Sequence, residues 1–212
     1  MKDSYLSISK YYNKAFNEYG ATPKGLAWDN LENLLTRYKV MYDLIREKEQ
    51  SHITNSTILD FGCGYGGFYN YINTFNDIQP IYSGLDINSN VIEHAKKENP
   101  EVNFFKADLR IDNINIYDYI ICNGTFTVKN NLSQDDMWNY MTSILIKLWD
   151  KTNEGIAFNV MSKIVDWERE DLFHVSMDIL GQWLVNNLSR NFIIRNDYGL
   201  YEYTVYVYKN KK

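Results

Sequence analysis

From residue 57 onward, short apolar segments alternate with helical segments, and no other feature of the chain constrains its fold as strongly. The apolar segments are TILDFG, IYSGLDI, VNFFKADL, YDYIICN and EGIAFNVM, and helical patterns follow most of them. This order is typical of a parallel sheet with helices on both faces. The last two predicted strands, NFIIRNDY and YEYTVYVYK, are joined by a short turn around Gly199, so they must pair antiparallel. The sequence predicts an α/β fold with a doubly wound, seven-stranded, mostly parallel sheet that ends in an antiparallel β-hairpin.

Two helices are predicted before the first strand. The first covers about residues 5–19, and the second carries an apolar stripe at helical spacing: Leu31, Leu34, Leu35, Tyr38, Met41, Tyr42 and Ile45. A chain of 212 residues is long enough for one substantial core. We therefore expect a single domain over residues 1–212, with an N-terminal helical cap at 1–50 and a core at 57–212. An insertion at about 161–176 should leave the carboxyl end of the fifth strand.

Charge and composition exclude several functional classes. The net charge is −5 and no stretch is dense in Lys or Arg, which argues against a nucleic-acid partner. Cys63 and Cys122 provide neither a disulfide framework nor metal-ligand spacing, so no metal is expected. The N-terminus lacks the apolar core of a signal peptide, and no apolar run approaches the roughly 20 residues of a membrane helix. We expect a cytoplasmic protein without a membrane partner, and its many aromatic side chains are compatible with a homo-oligomer.

Polar residues and glycines lie at the predicted carboxyl ends of four successive strands, where open α/β sheets bind ligands. In chain order they include Asp60, Gly62, Cys63, Gly64, Asp86, Ile87, Asp108, Leu109 and Asn123. The spacing Gly62-x-Gly64-x-x-Gly67 is that of a dinucleotide-binding turn, but such a turn does not require the preceding Asp60. A nicotinamide cofactor and a cofactor with a cationic group are therefore both compatible with this turn.

The segments LDFGCGYGGF, GLDIN, KADLR and YDYIICNG resemble successive motifs of class I S-adenosylmethionine-dependent methyltransferases. The resemblance covers about residues 57–160 and implies a Rossmann-like fold, S-adenosylmethionine as cofactor and S-adenosylhomocysteine as product. It places the methionine part of the cofactor on the first turn and the ribose and adenine on the later strand ends. The residues it assigns to the cofactor are Asp60, Gly62, Cys63 and Gly64 (methionine part), Asp86 (ribose), Ile87, Asp108 and Leu109 (adenine), and Asn123.

A second resemblance concerns the flanking segments. EYGATPKGLAWDN, AFNVMS and NDYGLYEYTVYVY are similar to segments of small bacterial methyltransferases, some of which belong to pathways for surface sugars or natural products. This similarity implies that Trp28 and Arg37 cover the cofactor from the N-terminal side. The guanidinium fork of Arg37 would suit the methionine carboxylate. An ordinary salt bridge on the helix surface is the other interpretation of Arg37.

Methyl transfer from a sulfonium is an in-line displacement, so the enzyme mainly positions the acceptor. A hydroxyl or amine acceptor must also lose a proton, and His174 in the insertion is the candidate general base. His52 and His94 lie in polar segments. Candidate substrate-binding residues are Asn159, Lys163, Arg169, Tyr198 and Glu202.

The predicted reaction is O-methylation of a small molecule. Candidate acceptors are a sugar, a nucleotide-linked compound or a phosphate or phosphoramidate intermediate in the biosynthesis of surface glycans (capsule) or secondary metabolites. If the acceptor were an anionic phosphate, Lys163 and Arg169 would bind it and no base would be needed. N-methylation of a small amine and an NAD(P)-dependent oxidoreductase remain alternatives at this stage.

Overall fold

The computed structural model describes residues 5–28, 30–46, 55–75 and 80–210 of the chain. The helices are α1 (Leu6–Tyr19), α2 (Leu31–Arg46), α3 (Gly67–Ile72), α4 (Ser89–Glu98), α5 (Gln134–Trp149) and α6 (Met177–Asn187), with a short 3-10 helix at Lys24–Leu26. The strands are β1 (Thr57–Phe61), β2 (Ile81–Asp86), β3 (Asn103–Lys106), β4 (Tyr117–Cys122), β5 (Thr152–Ser162), β6 (His174–Val175), β7 (Phe192–Arg195) and β8 (Glu202–Tyr208). Residues 47–54, around the expected boundary between cap and core, lie outside the described residues.

The sheet has the order β3-β2-β1-β4-β5-β8-β7, and β6 pairs with β5. Strands β1 to β5 pair in parallel, whereas β8 is antiparallel to both β5 and β7. The predicted doubly wound sheet with an antiparallel terminal hairpin is confirmed. The chain builds the sheet first to one side of β1 and then, from β4, to the other. This reversal opens a crevice beyond the carboxyl ends of β1 and β4, where ligands bind in such sheets.

The strand count differs from the prediction, because the sheet has an eighth strand. This strand, β6, has two residues and pairs in parallel with Met161 and Ser162 at the end of β5. A two-residue strand is too short to produce an alternating pattern, so sequence periodicity could not reveal it. Next to β6, the N–H of Phe173 donates to the carbonyl of Thr127 at 2.8 Å. The predicted insertion thus returns to the sheet beside the loop that follows β4.

Apolar side chains fill both faces of the sheet, as the alternation along β5 shows. Ile156 and Phe158 belong to the core cluster on the side of α5 and α6, whereas Ala157 belongs to the cluster on the side of α2, α3 and α4. From α2, Met41 is fully buried, and burial of such a side chain contributes about 1.5–3 kcal/mol. Leu31 and Leu35, which we expected on the same stripe, are exposed, because α2 packs through a narrower face than predicted.

The helices are too short and too amphipathic for a bilayer. The longest, α2 and α5, have 16 residues each, about 24 Å at 1.5 Å per residue. In the part of the chain that the structure describes, none has the length and apolar character needed to cross a membrane.

Two adjoining cavities form the candidate active site

The first cavity, of about 130 Å³, opens beyond the carboxyl ends of β1, β2 and β4. Its lining includes every residue that sequence reasoning assigned to the cofactor except Arg37: Trp28, Asp60, Gly62, Cys63, Gly64, Asp86, Ile87, Asp108, Leu109 and Asn123. Helix α1 and the residue before it cover this cavity with side chains that sequence reasoning missed: Tyr5, Ile8, Ser9 and Tyr12. No local motif marks these four, because α1 reaches the cavity only through the tertiary fold.

The turn after β1 exposes backbone to the first cavity. Gly62 has φ of +82°, and its N–H donates to the carbonyl of Leu85 at 2.8 Å. A Cβ atom at Gly62 would lie 2.6 Å from Oγ1 of Thr125, so glycine is required for space as well as for conformation. The N–H of Gly64 then donates to Oδ2 of Asp86 at 3.1 Å, which joins the ends of β1 and β2.

Two buried carboxyl groups line this cavity. Burial raises the pKa of Asp60 to about 7, although the hydroxyl of Tyr82, which donates to its Oδ2 at 2.7 Å, acts in the opposite direction. Burial also raises the pKa of Asp86, whose Oδ1 accepts from the N–H of Asn88 at 2.8 Å. Each carboxyl group therefore retains lone pairs that a cation or a hydroxyl group of a ligand can use.

The carboxylate of Asp108 already has a partner within the chain. Nε of Arg110 donates to Oδ1 of Asp108 at 2.8 Å, and a second guanidinium nitrogen contacts Oδ2. The guanidinium of Arg110 lies 3.1 Å from the ring centroid of Tyr5, which stacks on Tyr140. Burial raises the pKa of Asp108, but the hydrogen bonds from Arg110 outweigh it, so the pKa lies below its ordinary value. A role for Asp108 with adenine stays a prediction, and Arg110 would share this carboxylate with the ring.

Asn123 carries an unpaired acceptor. Its Oδ1 is buried in the wall of the first cavity and has no hydrogen-bond partner among the described residues. A buried polar atom without a partner costs roughly 1–3 kcal/mol. A ligand that donates a hydrogen bond at this point would remove that cost.

The second cavity, of about 210 Å³, lies against the first, and both are lined by Tyr12 and Trp28. Most of its other wall residues are aromatic or aliphatic: Tyr11, Ala27, Val128, Met161, Val165, Trp167, Leu172, Leu200 and Tyr201. Polar groups include Arg37, Asp166, Arg169 and His174. The insertion between β5 and α6 therefore forms one side of this cavity.

A buried hydrogen-bonded chain runs behind the two cavities. Arg37, only 8% exposed, donates from Nε and Nη2 to Oε2 of Glu202 at 2.9 and 2.8 Å. Oε1 of Glu202 accepts from Asn159 at 2.9 Å, and Oδ1 of Asn159 accepts from the N–H of Gly124 at 2.7 Å. The guanidinium of Arg37 also stacks on Trp28 at 3.9 Å. Three residues that sequence reasoning assigned separately to ligands thus form one network, which joins α2, β8, β5 and the turn after β4.

The peptide of Gly124 stands at the junction of the cavities. Its carbonyl accepts from the hydroxyl of Tyr12 at 3.1 Å and from that of Thr127 at 2.9 Å. With φ of +76°, it lies so close to Trp28 that an added Cβ would be 2.5 Å from the indole ring. Hydrogen bonds on both sides therefore hold the wall that separates the two cavities.

The comparisons with known proteins agree with this arrangement. No protein-family model matches the chain. A curated relative from Mycobacterium tuberculosis (strain ATCC 25618 / H37Rv), whose name provisionally makes it a methyltransferase, is 27% identical over 157 residues, covering 72% of this chain and 93% of its own. A TehB-like S-adenosylmethionine-dependent methyltransferase from Corynebacterium glutamicum shares the fold, with a TM-score of 0.58 and 16% identity over 97% of this chain and 100% of its own. The plantazolicin methyltransferase BamL, in complex with a triazolic desmethylPZN analogue and SAH, has a TM-score of 0.64 and 14% identity over 99% of this chain and 94% of its own. The chain therefore shares the fold of S-adenosylmethionine-dependent methyltransferases and resembles in sequence a curated relative whose name is that of a methyltransferase.

These similar structures include S-adenosylmethionine-dependent methyltransferases, some of them in complex with SAH, and the donor set of the first cavity suits S-adenosylmethionine. The cofactor carries an ammonium group and ribose hydroxyls, which are hydrogen-bond donors. The cavity offers buried acceptors for them on Asp60, Asp86 and Asn123. A nicotinamide dinucleotide would bring a pyrophosphate instead, and the buried carboxyl group of Asp60 beside the glycine turn would face it.

His174, the candidate general base, is buried and hydrogen-bonded within the chain, and its role as a base stays a prediction. The ring is 3% exposed, and Nδ1 lies 2.6 Å from the carbonyl of Ser162, so Nδ1 must carry the hydrogen. Nε2 then accepts from the backbone N–H of Arg169 at 3.2 Å. Because that contact uses the only free lone pair of the ring, His174 holds the insertion to the end of β5. His94 packs edge-on against Phe16, and His52 lies outside the described residues.

Three of the remaining substrate-binding candidates have partners within the chain that differ from the buried network. Lys163 lies 3.4 Å from Glu168, and Arg169 donates to Asp171 at 2.7 Å. The hydroxyl of Tyr198 lies 3.0 Å from that of Thr204. Of the five candidates, Arg169 lines the second cavity, whereas the lining of both cavities excludes Asn159, Lys163, Tyr198 and Glu202. Direct contact of these residues with an acceptor stays a prediction.

Proposed function

We propose that this protein transfers the methyl group of S-adenosylmethionine, bound in the first cavity, to an oxygen atom of a small acceptor in the second cavity. The observation that carries the proposal is the pair of residues, Tyr12 and Trp28, that line both cavities. A methyl group at this boundary is within reach of an acceptor on the other side. Intermediates of surface-glycan or secondary-metabolite biosynthesis are suitable acceptors, since they are small and carry hydroxyl groups.

The residues of the first cavity bind and orient the cofactor. Asp60 accepts from the ammonium group, and Asp86 accepts from the ribose hydroxyls. Ile87 and Leu109 pack against the adenine ring, and the unpaired Oδ1 of Asn123 accepts from the donor nearest the turn after β4. Support for these roles comes from the shared cavity, from the burial of both carboxyl groups and from the lone pairs that the chain leaves free.

The residues around the second cavity position the acceptor. S-adenosylmethionine supplies a methyl group on a sulfonium ion. The acceptor oxygen attacks the methyl carbon on the side opposite the sulfur. As the new carbon–oxygen bond forms, the carbon–sulfur bond breaks, its electron pair leaves with sulfur, and the hydroxyl proton passes to water. Holding the acceptor in line removes much of the entropic barrier to this step. The rigid junction at Gly124, Tyr12 and Trp28 supports such alignment.

The size of the second cavity favours a small acceptor. Its volume of about 210 Å³ is closed on one side by the insertion, so an extended polymer would not fit without opening it. Among similar structures, the plantazolicin methyltransferases BpumL and BamL hold desmethylPZN analogues together with SAH. These complexes support a small-molecule or natural-product acceptor for this chain as well.

Calorimetry tests the cofactor assignment. We expect SAH to bind and NADH not to bind under the same conditions. Asp86→Ala should weaken SAH binding by about tenfold or more, because two ribose hydroxyls lose a charge-assisted partner. Asp178→Asn, at an exposed carboxylate in the first turn of α6, is the matched control and should bind like the unchanged protein. Binding of NADH without binding of SAH would disprove the proposal.

A further inference from the structure

The residues of the second cavity also indicate the chemical class of the acceptor, provided that the proposed function holds. Two of its aromatic wall residues are far more exposed than such side chains usually are: Trp167 is 73% exposed and Tyr201 64%. Trp167 belongs to the insertion, and Tyr201 to the turn before β8. The carbonyl of Tyr201 accepts from the N–H of Ser162 at 3.0 Å, where the insertion begins. Because both rings line the cavity and remain largely in solvent, they form part of its solvent-exposed edge.

An exposed indole gains nothing from the fold itself. Large apolar side chains that stay in water around a concave site commonly mark the place where a ligand binds. Trp and Tyr rings provide a rigid, flat contact surface and lose little conformational entropy when they bind. The wall also includes aliphatic side chains, among them Val128, Met161 and Leu172. The cavity therefore suits a flat apolar ring better than a strongly hydrated group.

The charges around the second cavity also favour an uncharged ligand. Arg37 is neutralised by the buried carboxylate of Glu202, and Arg169 forms a two-pronged ion pair with Asp171 at 2.7 and 3.1 Å. These are the only Lys or Arg side chains among the described wall residues, and both are paired. The carboxylate of Asp166 also lines the cavity. A doubly charged phosphate would have to break an ion pair and approach Asp166.

We propose that the acceptor enters the second cavity as an uncharged aromatic or heteroaromatic ring that bears the hydroxyl to be methylated. Trp167 and Tyr201 stack on this ring and determine specificity. Phosphorylated acceptors should bind more weakly, because every described cation of the wall already has a carboxylate partner. Binding of an anionic acceptor by Lys163 and Arg169, the expectation from sequence, is the alternative to this proposal.

The test uses one ring with and without a phosphate: 2-naphthol and 2-naphthyl phosphate. Each is titrated into the full-length protein saturated with SAH and followed by ligand-observed NMR. We expect 2-naphthol to bind at least about tenfold more tightly than its phosphate ester, and methyl glucoside to show no comparable binding. Trp167→Ala should weaken the binding of 2-naphthol by about tenfold, and Trp167→Phe should restore most of it.

Ile164→Ala is the matched control, because Ile164 belongs to the same insertion and is 78% exposed but does not line the cavity. Its affinity for 2-naphthol should equal that of the unchanged protein. Equal or tighter binding of the phosphate ester or of methyl glucoside would overturn the inference, as would unchanged binding of 2-naphthol to Trp167→Ala. The SAH titration that precedes each experiment tests the proposed function separately, so failure of one is distinguishable from failure of the other.

Discussion

At the scale of single residues, Asp60 shows how a binding group can reduce stability. Burial raises the pKa of this carboxyl group from 3.8 to about 7. Between these two values the folded chain holds a proton that the unfolded chain has released, so the contribution of Asp60 to stability falls as pH rises from about 4 to about 7. Above that window the full cost of the buried charge remains, up to about 4 kcal/mol for a shift of this size.

Asp60→Asn should therefore stabilise the ligand-free protein at pH 8, and it should do so by a smaller amount at pH 5. We expect the unfolding temperature at pH 8 to rise by several degrees, while the carbonyl of Asn still accepts from Tyr82. SAH binding should weaken by about tenfold or more, because the cofactor ammonium loses a charged partner. Thermal unfolding of both proteins at the two pH values, with calorimetry of SAH, measures each effect. A variant that is less stable than the unchanged protein at pH 8 would contradict this account.

His174 provides the opposite case, a residue that we expect to matter for stability and not for binding. His174→Ala removes the hydrogen bonds to Ser162 and Arg169 and leaves both backbone groups without these partners. We expect a loss of roughly 1–3 kcal/mol in the free energy of unfolding, measured by urea titration. The affinity for SAH should change by less than about twofold, because the ring does not line the first cavity. If His174 were the base, the variant would instead retain its stability and lose methyl transfer.

At the scale of elements, the ion pair between Arg37 and Glu202 connects α2 with β8. Glu202→Gln leaves the guanidinium of Arg37 buried without a counter-ion, which should cost about 3–5 kcal/mol in urea unfolding. Asp197→Asn is the control, because it removes the partner of Arg195 at an exposed position and should cost less than about 1 kcal/mol. Equal effects of the two variants would show that the buried pair has no special role.

The contact between α2 and β8 is an example of a feature that the sequence could not predict, in contrast to the residues at the strand ends. The residues at or after the ends of β1, β2 and β4 that line the first cavity were predictable, because each lies within a few residues of a strand end and parallel strands bring those ends together. The partner of Arg37 was not, because Glu202 lies 165 residues away and no periodicity links them. The two-residue strand β6 and the hydrogen bonds of His174 were likewise hidden, since both exist only when the insertion folds back onto β5.

At the scale of the whole molecule, the fold was predictable because alternating strands and helices allow few connections. The second cavity was not predictable, because three distant segments form it. The N-terminal segment contributes Tyr12 and Trp28, the insertion contributes Trp167, and the last hairpin contributes Tyr201. Exposure decides which of these aromatic rings can contact a ligand, and exposure cannot be read from residue type. The first cavity is mostly assembled from local motifs, and the second almost entirely from tertiary contacts.

Helix α1 covers the first cavity but buries little apolar surface against the core. Ile8 is its only buried residue, and its hydrogen bonds to the rest of the chain come from a few side chains, among them Ser9 to Asn88, Tyr12 to Gly124 and Asn90 to Asn17. Elements with little buried apolar surface open at low free energy, and a ligand that fills the space beneath them suppresses that opening.

We therefore expect SAH at 100 times its dissociation constant to slow amide hydrogen exchange in residues 6–19 markedly. The free energy of this linkage is about 2.7 kcal/mol at most. Exchange in β5 and β8, at the centre of the sheet, should change only as far as global stability does. Unchanged exchange in α1 at saturating SAH would show that the helix is not part of the cofactor site, because a cover that contacts the ligand cannot open as freely with the ligand bound.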